Sequence, residues 1–299
     1  MVLSESETGE RAQQEVRFLI DNCNTAYLPG QGYGDVGKNI SLHPRSRVAG
    51  FEGPEDFDEK MARVAERDDV SHSSQLVWWL ANRSNTDDID ELEEIAVEAQ
   101  HPEDYPEGFR HFNEYMSDVP RDMVTAAWER PVERVVGDRL GEYAPSVIGG
   151  KLHQNGAGIE IDEFCGGEEK ADRVEQIHDV DVEEEPVIAY GNSMGDAPIM
   201  EPAEEAIGRG DAYEISTIYT HEDHDFWTRG VLGVGAYELA SGGNPRDAEE
   251  RMWDFLEEGA LKYGGFELET VERGGAAPGE YTDDLTEAYE NILEEAGSW

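Results

Sequence analysis

Apolar residues fall along this chain in short runs and in helical stripes, and the two patterns alternate. Val16-Arg17-Phe18-Leu19-Ile20 is a brief apolar run ending at Asp21, which predicts a buried strand after a polar, frayed start. From Pro29 to about Pro54 glycine and proline recur without a helical period, so a long loop is expected there. Helices should follow: a short buried one at Leu76 to Leu80 with Trp78 and Trp79, and one whose apolar face is Ile89, Leu92, Ala96 and Ala99. Past Pro102 and Pro106 the pattern predicts a helix around Phe109 to Met116, a strand at Met123-Val124-Thr125 and a helix from about Pro131. Val147-Ile148 and Pro186 to Tyr190 predict strands on either side of a helix carrying Ala171, Val174 and Ile177, and further strands are expected at Ile207 and at Ile215 to Tyr219. Asn244-Pro245 opens a helix, with Asn as N-cap, Pro at the first helical position and a stripe of Ala248, Met252, Phe255 and Leu256. A last helix would bury Leu285, Ala288, Tyr289, Ile292 and Leu293. Strands alternating with helices imply an α/β fold built on a parallel, doubly wound sheet.

Composition changes the picture of the surface. The chain has 299 residues, 38% of them hydrophobic, enough for a substantial core. Its 69 acidic residues against 23 basic ones give a formal charge of -46, spread along the whole sequence. Self-repulsion at that density opposes a compact state unless concentrated salt screens it, which points to a halophilic, archaeal-type source. Only five basic residues are lysine (Lys38, Lys60, Lys151, Lys170 and Lys262), so each retained lysine asks for a reason. The charge argues against a nucleic-acid backbone as partner. With no apolar run near ~18 residues and no signal-like start, neither a membrane span nor secretion is expected, and the cytoplasm is the expected location. Two cysteines, Cys23 and Cys165, make neither a disulfide framework nor a four-cysteine zinc site.

In an open parallel sheet, ligands sit beyond the carboxyl ends of the strands, so polar residues just after each apolar run are the natural suspects. Four places qualify: Asp21 to Thr25 (Asp-Asn-Cys-Asn-Thr), Thr125, Lys170 at a helix start, and Gly191 to Asp196 (Gly-Asn-Ser-Met-Gly-Asp). Together they offer a carboxylate nucleophile, a hydroxyl for a phosphate oxygen, a counter-charge and a further carboxylate for a metal, the parts phosphoryl transfer requires.

In their order these segments resemble the haloacid dehalogenase superfamily, nearest its phosphoserine-phosphatase-like branch. The family's strand followed by Asp-x-Asp-x-Thr is matched by Phe18 to Thr25, its strand ending in Ser or Thr by Met123-Val124-Thr125-Ala126-Ala127, and its lysine by Lys170 in Gly167-Glu168-Glu169-Lys170-Ala171. Its fourth motif resembles Val187 to Met200, and an intervening segment resembles Val147 to Leu152 with Asn155 to Gly158. The likeness spans residues of about 16 to 210. It implies a Rossmann-like three-layer core from 13–29 and 117–220, an inserted helical cap at 30–116, and a helical C-terminal extension at 221–299 outside the likeness.

The resemblance also implies roles. Asp21 would attack phosphorus; Asn24, Thr25, Thr125, Ala126 and Lys170 would hold phosphate; Asp21, the Cys23 carbonyl, Asn192 and Asp196 would bind Mg2+. The substrate would be a small phosphorylated metabolite, hydrolysed through an aspartyl-phosphate. Two positions depart from the pattern. Cys23 stands where the family has its acid–base aspartate, and Asn192 where it has a carboxylate. A thiol hydrogen-bonds poorly and differs in shape from a carboxylic acid, and Cys23 reads more readily as a small packing residue. The departures leave two alternatives open: a catalytically degenerate member that binds a phosphorylated ligand or a protein, and a dehalogenase- or phosphonatase-type hydrolase. Oligomeric state is not legible in the residues.

Two other patterns read as structure. Gly32-Tyr33-Gly34-Asp35-Val36-Gly37 fits a dinucleotide-binding fingerprint by letter but lies well after the strand with no helical pattern behind it, so a flexible loop is expected. His221-Glu222-Asp223-His224-Asp225 reads as an acidic loop and not as a metal site.

The charge of -46 predicts a fold that needs salt. Its melting temperature should fall when salt drops from molar concentration to ~0.1 M, where screening extends over ~10 Å. Equal melting temperatures at both would refute the halophile reading.

Overall fold

The computed structural model describes residues 16–28, 36–46, 48, 50–65, 80–84, 86–178, 187–191, 194–200 and 226–263. Five strands form one sheet: β1 (Arg17–Asp21), β2 (Arg121–Trp128), β3 (Ser146–Asn155), β4 (Gly158–Glu163) and β5 (Val187–Tyr190). The spatial order is β4-β3-β2-β1-β5. β1 lies parallel to both β2 and β5, and β2 is parallel to β3; only β4 runs antiparallel, returning from β3 through a hairpin at Asn155 to Gly158. The central position of β1 explains why its run is apolar without alternation, since both of its faces are covered.

The sheet is accompanied by the helices α1 (Val36–Leu42), α2 (Pro54–Ala65), α3 (Ile89–Glu98), α4 (Glu107–Tyr115), α5 (Glu129–Leu140), α6 (Glu169–His178), α7 (Phe226–Ala240) and α8 (Pro245–Tyr263). Period-two alternation sorts β1 onto two cores. Phe18 and Ile20 face one side, packed with Phe112 of α4, Phe226 of α7, Phe255 of α8 and Val132, Val135 and Val136 of α5. Leu19 faces the other, with Val124, Ile148, Ala189 and Val174 of α6. Helices on both faces make the three-layer α/β arrangement the alternation of elements implies. Phe18 alone, fully buried, contributes about 1.5–3 kcal/mol by leaving water, and its ring meets Phe112 edge-on at a centroid distance of 5.1 Å.

Several expectations need correction. The stretch from Pro29 to Pro54 is not one long loop: α1 lies within it, burying Val36 and Ile40 one turn apart together with Gly37 and Ser41. Its helix begins at Val36, so helical structure does follow the Gly32–Gly37 pattern, whose first four residues lie outside the described residues. Glycine and proline frequency hid a period carried by only two large apolar residues. On the helix carrying Ala171, Val174 and Ile177, Val174 is buried while Ile177 is 46% exposed. The antiparallel β4 was unforeseen, because Ile159 and Ile161 are two isolated apolar positions in a polar segment. Helix α7 also escaped, since it is apolar nearly all round and shows no stripe. In contrast, Asn244 caps α8 as expected, its side-chain oxygen accepting from the amides of Arg246 and Asp247. The readings at Leu76 to Trp79, Ile207, Ile215 to Tyr219, His221 to Asp225 and Leu285 to Leu293 lie outside the described residues.

The interface of α4 with α7 and α8 is aromatic and holds a buried imidazole. His111 is surrounded by Tyr115, Trp227, Phe255 and Tyr263, and its Nε2 lies 2.8 Å from the Phe255 carbonyl, so Nε2 carries the hydrogen and donates the bond. Its Nδ1 is buried without a hydrogen bond among the described residues. Burial lowers the His111 pKa, although the Phe255 carbonyl, Glu258 and Glu114 pull it up and Lys262 pushes it down. The imidazole is therefore neutral in the folded state, while the unfolded chain takes up a proton below about 6.5. Stability from this residue is present above that pH and lost as pH falls through it. His111→Phe should accordingly gain on the wild type by about 2–4 °C in melting temperature for each kcal/mol so recovered as pH drops from 7 to 5. Parallel melting curves across that range would show that His111 is not the sensor.

Candidate active site

The chain direction of β1 delivers Asp21 to the carboxyl edge of the sheet, and the same alternation that sends Leu19 toward α6 sends Asp21 to that side. Register places Asp21 beside Val124 and Ile20 beside Tyr190, so Thr125 and Gly191 flank the aspartate one step on. Lys170, in the first turn of α6, reaches across with its Nζ 2.8 Å from Asp21 Oδ1 and 2.5 Å from Asp196 Oδ1. Asp21 and Lys170 are 149 residues apart in sequence, and all three side chains are almost wholly buried. Gly191 makes room for this: a Cβ there would lie 2.5 Å from that of Asp196.

Electrostatics follow from burial. Desolvation, and then the neighbouring Asp196, push the Asp21 pKa up to about 7, against the opposing pull of Lys170. Burial also works against the Lys170 ammonium, but the two carboxylates outweigh it and hold the lysine charged well above its usual range. The Thr25 hydroxyl is buried close enough to favour the Asp21 carboxylate, though it makes no hydrogen bond of good geometry.

The loop after Asp21 is a tight turn. The amides of Thr25, Ala26 and Tyr27 all converge on the Asn22 carbonyl, at 3.3, 3.1 and 2.8 Å, and Asn24 takes φ of 58°, a left-handed conformation that asparagine tolerates. Asn24 is exposed, Cys23 is half-buried at a bridge to Tyr27, and the Tyr105 hydroxyl donates to Asn22 Oδ1 at 2.9 Å. Thr125 opens an irregularity in β2, where Val124 pairs with Ile148 but Trp128 with Gly150. Its hydroxyl oxygen accepts from the Ala127 amide at 3.1 Å, and Ala126 sits between them, partly exposed. Bulges of this kind re-aim strand ends beside active sites.

Of the predicted site residues, Asp21, Lys170 and Asp196 are in direct contact, Thr25 adjoins Asp21, and Thr125 directly follows Val124, the register partner of Asp21. Cys23, Asn24 and Ala126 border the same edge, and Asn192 lies outside the described residues. Asp21 and Asp196 supply hard oxygen donors, as would the Cys23 carbonyl. Two carboxylates sharing a single ammonium carry excess negative charge, so this donor set suits a small divalent cation. Among the described residues no cluster of three or more His, Cys, Asp or Glu side chains surrounds one point.

Sequence reasoning missed Arg229. This α7 residue is 1% exposed, and its guanidinium donates to the Thr25 carbonyl and, at 3.5 Å, to that of Asn24. Only the missing prediction of α7 concealed it. The other cysteine, Cys165, is buried on the α6 side, with its thiol pushed up to about 12 by desolvation, and is chemically quiet. All five lysines meet carboxylates: Lys38 with Asp58, Lys60 with Asp56, Lys151 with Glu163, Lys262 with Glu114, and Lys170 as described.

A mostly parallel sheet with a lysine and two carboxylates at its carboxyl edge defines an α/β protein with a buried charged site there. The model of the haloacid dehalogenase-like hydrolases matches residues 42–201, more than half of the chain, and the chain belongs to that family. The matched stretch includes Thr125, Lys170 and Asp196, while Asp21 precedes it. No curated protein sequence matches the chain. Among solved structures, a protein of unknown function from Bordetella pertussis Tohama I is similar at 16% identity, covering 68% of this chain and 99% of its own, with a TM-score of 0.48. Cytosolic 5'-nucleotidase IIIB bound to cytidine is similar at 15% identity over 64% of this chain and 69% of its own, with a TM-score of 0.39. Likenesses at that level carry nothing about activity. No helix among the described residues is long and apolar enough to cross a membrane.

Removing Lys170 would strand two buried carboxylates. Lys170→Met should destabilise the protein by about 3–5 kcal/mol near neutral pH, the usual cost of an uncompensated buried charge. Adding Asp21→Asn should restore part of it, and the loss should shrink in acid as the carboxylates take protons. Denaturant titration of the three proteins checks this; additive losses would mean the groups are not coupled.

Proposed function

We propose that this protein is a phosphohydrolase acting on a small phosphorylated metabolite through an aspartyl-phosphate on Asp21. The observation that carries the reading is the meeting of Asp21 and Asp196 on one buried Lys170 ammonium at the sheet edge. An Asp21 carboxylate oxygen forms the bond to phosphorus as the ester oxygen leaves with its electron pair; water then cleaves the acyl phosphate, releasing phosphate and restoring the carboxylate. Lys170 favours the ionised form of Asp21 and neutralises the phosphoryl oxygens, and Thr125, Asn24, Thr25 and Ala126 would bind them. Asp21, Asp196, Asn192 and the Cys23 carbonyl would hold Mg2+, which when bound supplies further positive charge against the phosphoryl group. With Cys23 where an acid is expected, substrates whose leaving group needs no proton suit the site best.

The acidic surface and the pairing of every lysine support a salt-accumulating cytoplasm as the setting, with a small-molecule substrate and no nucleic-acid partner. The phosphoserine-phosphatase-like branch is the subgroup whose motif order fits.

An assay in concentrated potassium chloride with magnesium tests the reading on an alkyl phosphate, an acyl phosphate and a phosphonate. Turnover of the acyl phosphate is expected, and Asp21→Asn should abolish it. Cys23→Asp should raise alkyl phosphate turnover about a hundredfold or more, the usual scale of general acid catalysis, and acyl phosphate turnover far less. Hydrolysis unaffected by Asp21→Asn would end the proposal. Phosphate binding without turnover of any substrate would favour the degenerate, ligand-binding alternative.

A further inference from the structure

The loop that follows Asp21 is held from a helix that lies outside the family-matched stretch of 42–201. Two peptide units are gripped at both ends. In the unit joining Asn24 to Thr25, the amide donates to the Asn22 carbonyl and the carbonyl accepts from Arg229 at 3.5 Å. The next unit, joining Thr25 to Ala26, repeats the arrangement, with its amide on Asn22 and its carbonyl on Arg229 Nη1. Burying a guanidinium is costly unless fixed acceptors repay it, so an apolar residue would serve simple packing better.

The helix is positioned to deliver that group. A Cβ at Gly233 would lie 1.8 Å from the Tyr190 hydroxyl, and that hydroxyl donates at 3.0 Å to the carbonyl of Arg229 itself. Gly230 similarly allows Phe255 of α8 to approach, where a Cβ would meet its ring at 2.8 Å. Tyr190 ends β5, beside β1, so the strand next to the nucleophile fixes the helix and the helix fixes the loop after the nucleophile.

We infer that Arg229 is a positioning residue for the Asp21 turn, and that α7 is thereby part of the catalytic unit. The consequence for turnover rests on the phosphohydrolase reading above; the consequence for the loop does not. Its amides, held toward Asn22 by a guanidinium that grips the opposite ends of the same peptides, keep the geometry in which Asp21 meets a phosphoryl group.

The test compares the full-length wild type with Arg229→Gln, Arg229→Lys and, as a control, Arg251→Ala, which breaks the α8–α7 ion pair to Glu238 without touching the loop. Hydrogen exchange at the amides of Thr25, Ala26 and Tyr27 should quicken at least tenfold in Arg229→Gln, with α7 and β5 within threefold of wild type. Arg229→Lys should recover part of the protection, and Arg251→Ala should leave the loop unchanged. With an acyl phosphate substrate, kcat should fall tenfold or more in Arg229→Gln while KM stays within threefold, and Arg229→Lys should lie between. Unchanged loop exchange in both Arg229 variants overturns the proposal. So does exchange that rises equally through α7 and β5 in both, which would make Arg229 a packing residue, and so does a loosened loop with wild-type kcat. If the wild type hydrolyses nothing, the phosphohydrolase reading fails by itself, and the exchange data still decide whether Arg229 orders the turn.

Discussion

One buried ammonium between two carboxylates organises this protein. Lys170 bonds Asp21 and Asp196 at once, and none of the three is tolerable at its depth without the others. Placing them requires β1 flanked by β2 on one side and by β5 on the other, so that Gly191 can admit Asp196, and α6 packed on the face that Leu19 and Asp21 share. The parallel sheet is thus the frame on which a costly charge cluster is held, and the two apolar cores offset that cost.

The site is asymmetric in its support. On the α6 side, charge dominates: Lys170, Asp21 and Asp196. On the opposite side the turn from Asn22 to Tyr27 is held by neutral and cationic donors that approach from separate elements, Tyr105 after the 3-10 turn Pro102–Asp104 and Arg229 from α7. The first arrangement sets the state of the carboxylate, and the second sets the shape of the backbone around it. Both are needed if Asp21 is to present a carboxylate oxygen in a fixed direction.

Family membership and chemistry stand on different grounds here. The family match runs from the end of α1 to just past Asp196, and family membership rests on it. The particular reaction depends on residues where the chain departs from the pattern. Cys23, half-buried in the turn, and Asn192 stand at the two positions where the resemblance expects acids.

The strands of the parallel sheet were legible because each contains a short apolar run, which ends at a polar residue in β1 and β2 and at glycine in β3 and β5. Asp21, Thr125, Lys170 and Asp196 were legible for the same reason, as the first chemically able residues after those runs or at a helix start. Local pattern could not show α7, whose apolar residues surround the helix and leave no stripe to read, nor α1, whose glycine-rich approach masks a single apolar turn. Nor could it show that Lys170 bonds two acids simultaneously, since that depends on the register of three strands and the angle of α6. Arg229 is the extreme case. In sequence it is one arginine in an unremarked segment, and only packing of Gly233 against Tyr190 brings its guanidinium to the carbonyls of Asn24 and Thr25. Residue types and their order are properties of the chain, and they determined the fold class and the chemical inventory. Which groups share a buried charge, and which helix holds the nucleophile's turn, are properties of contacts between distant segments, and the tertiary structure alone decided them.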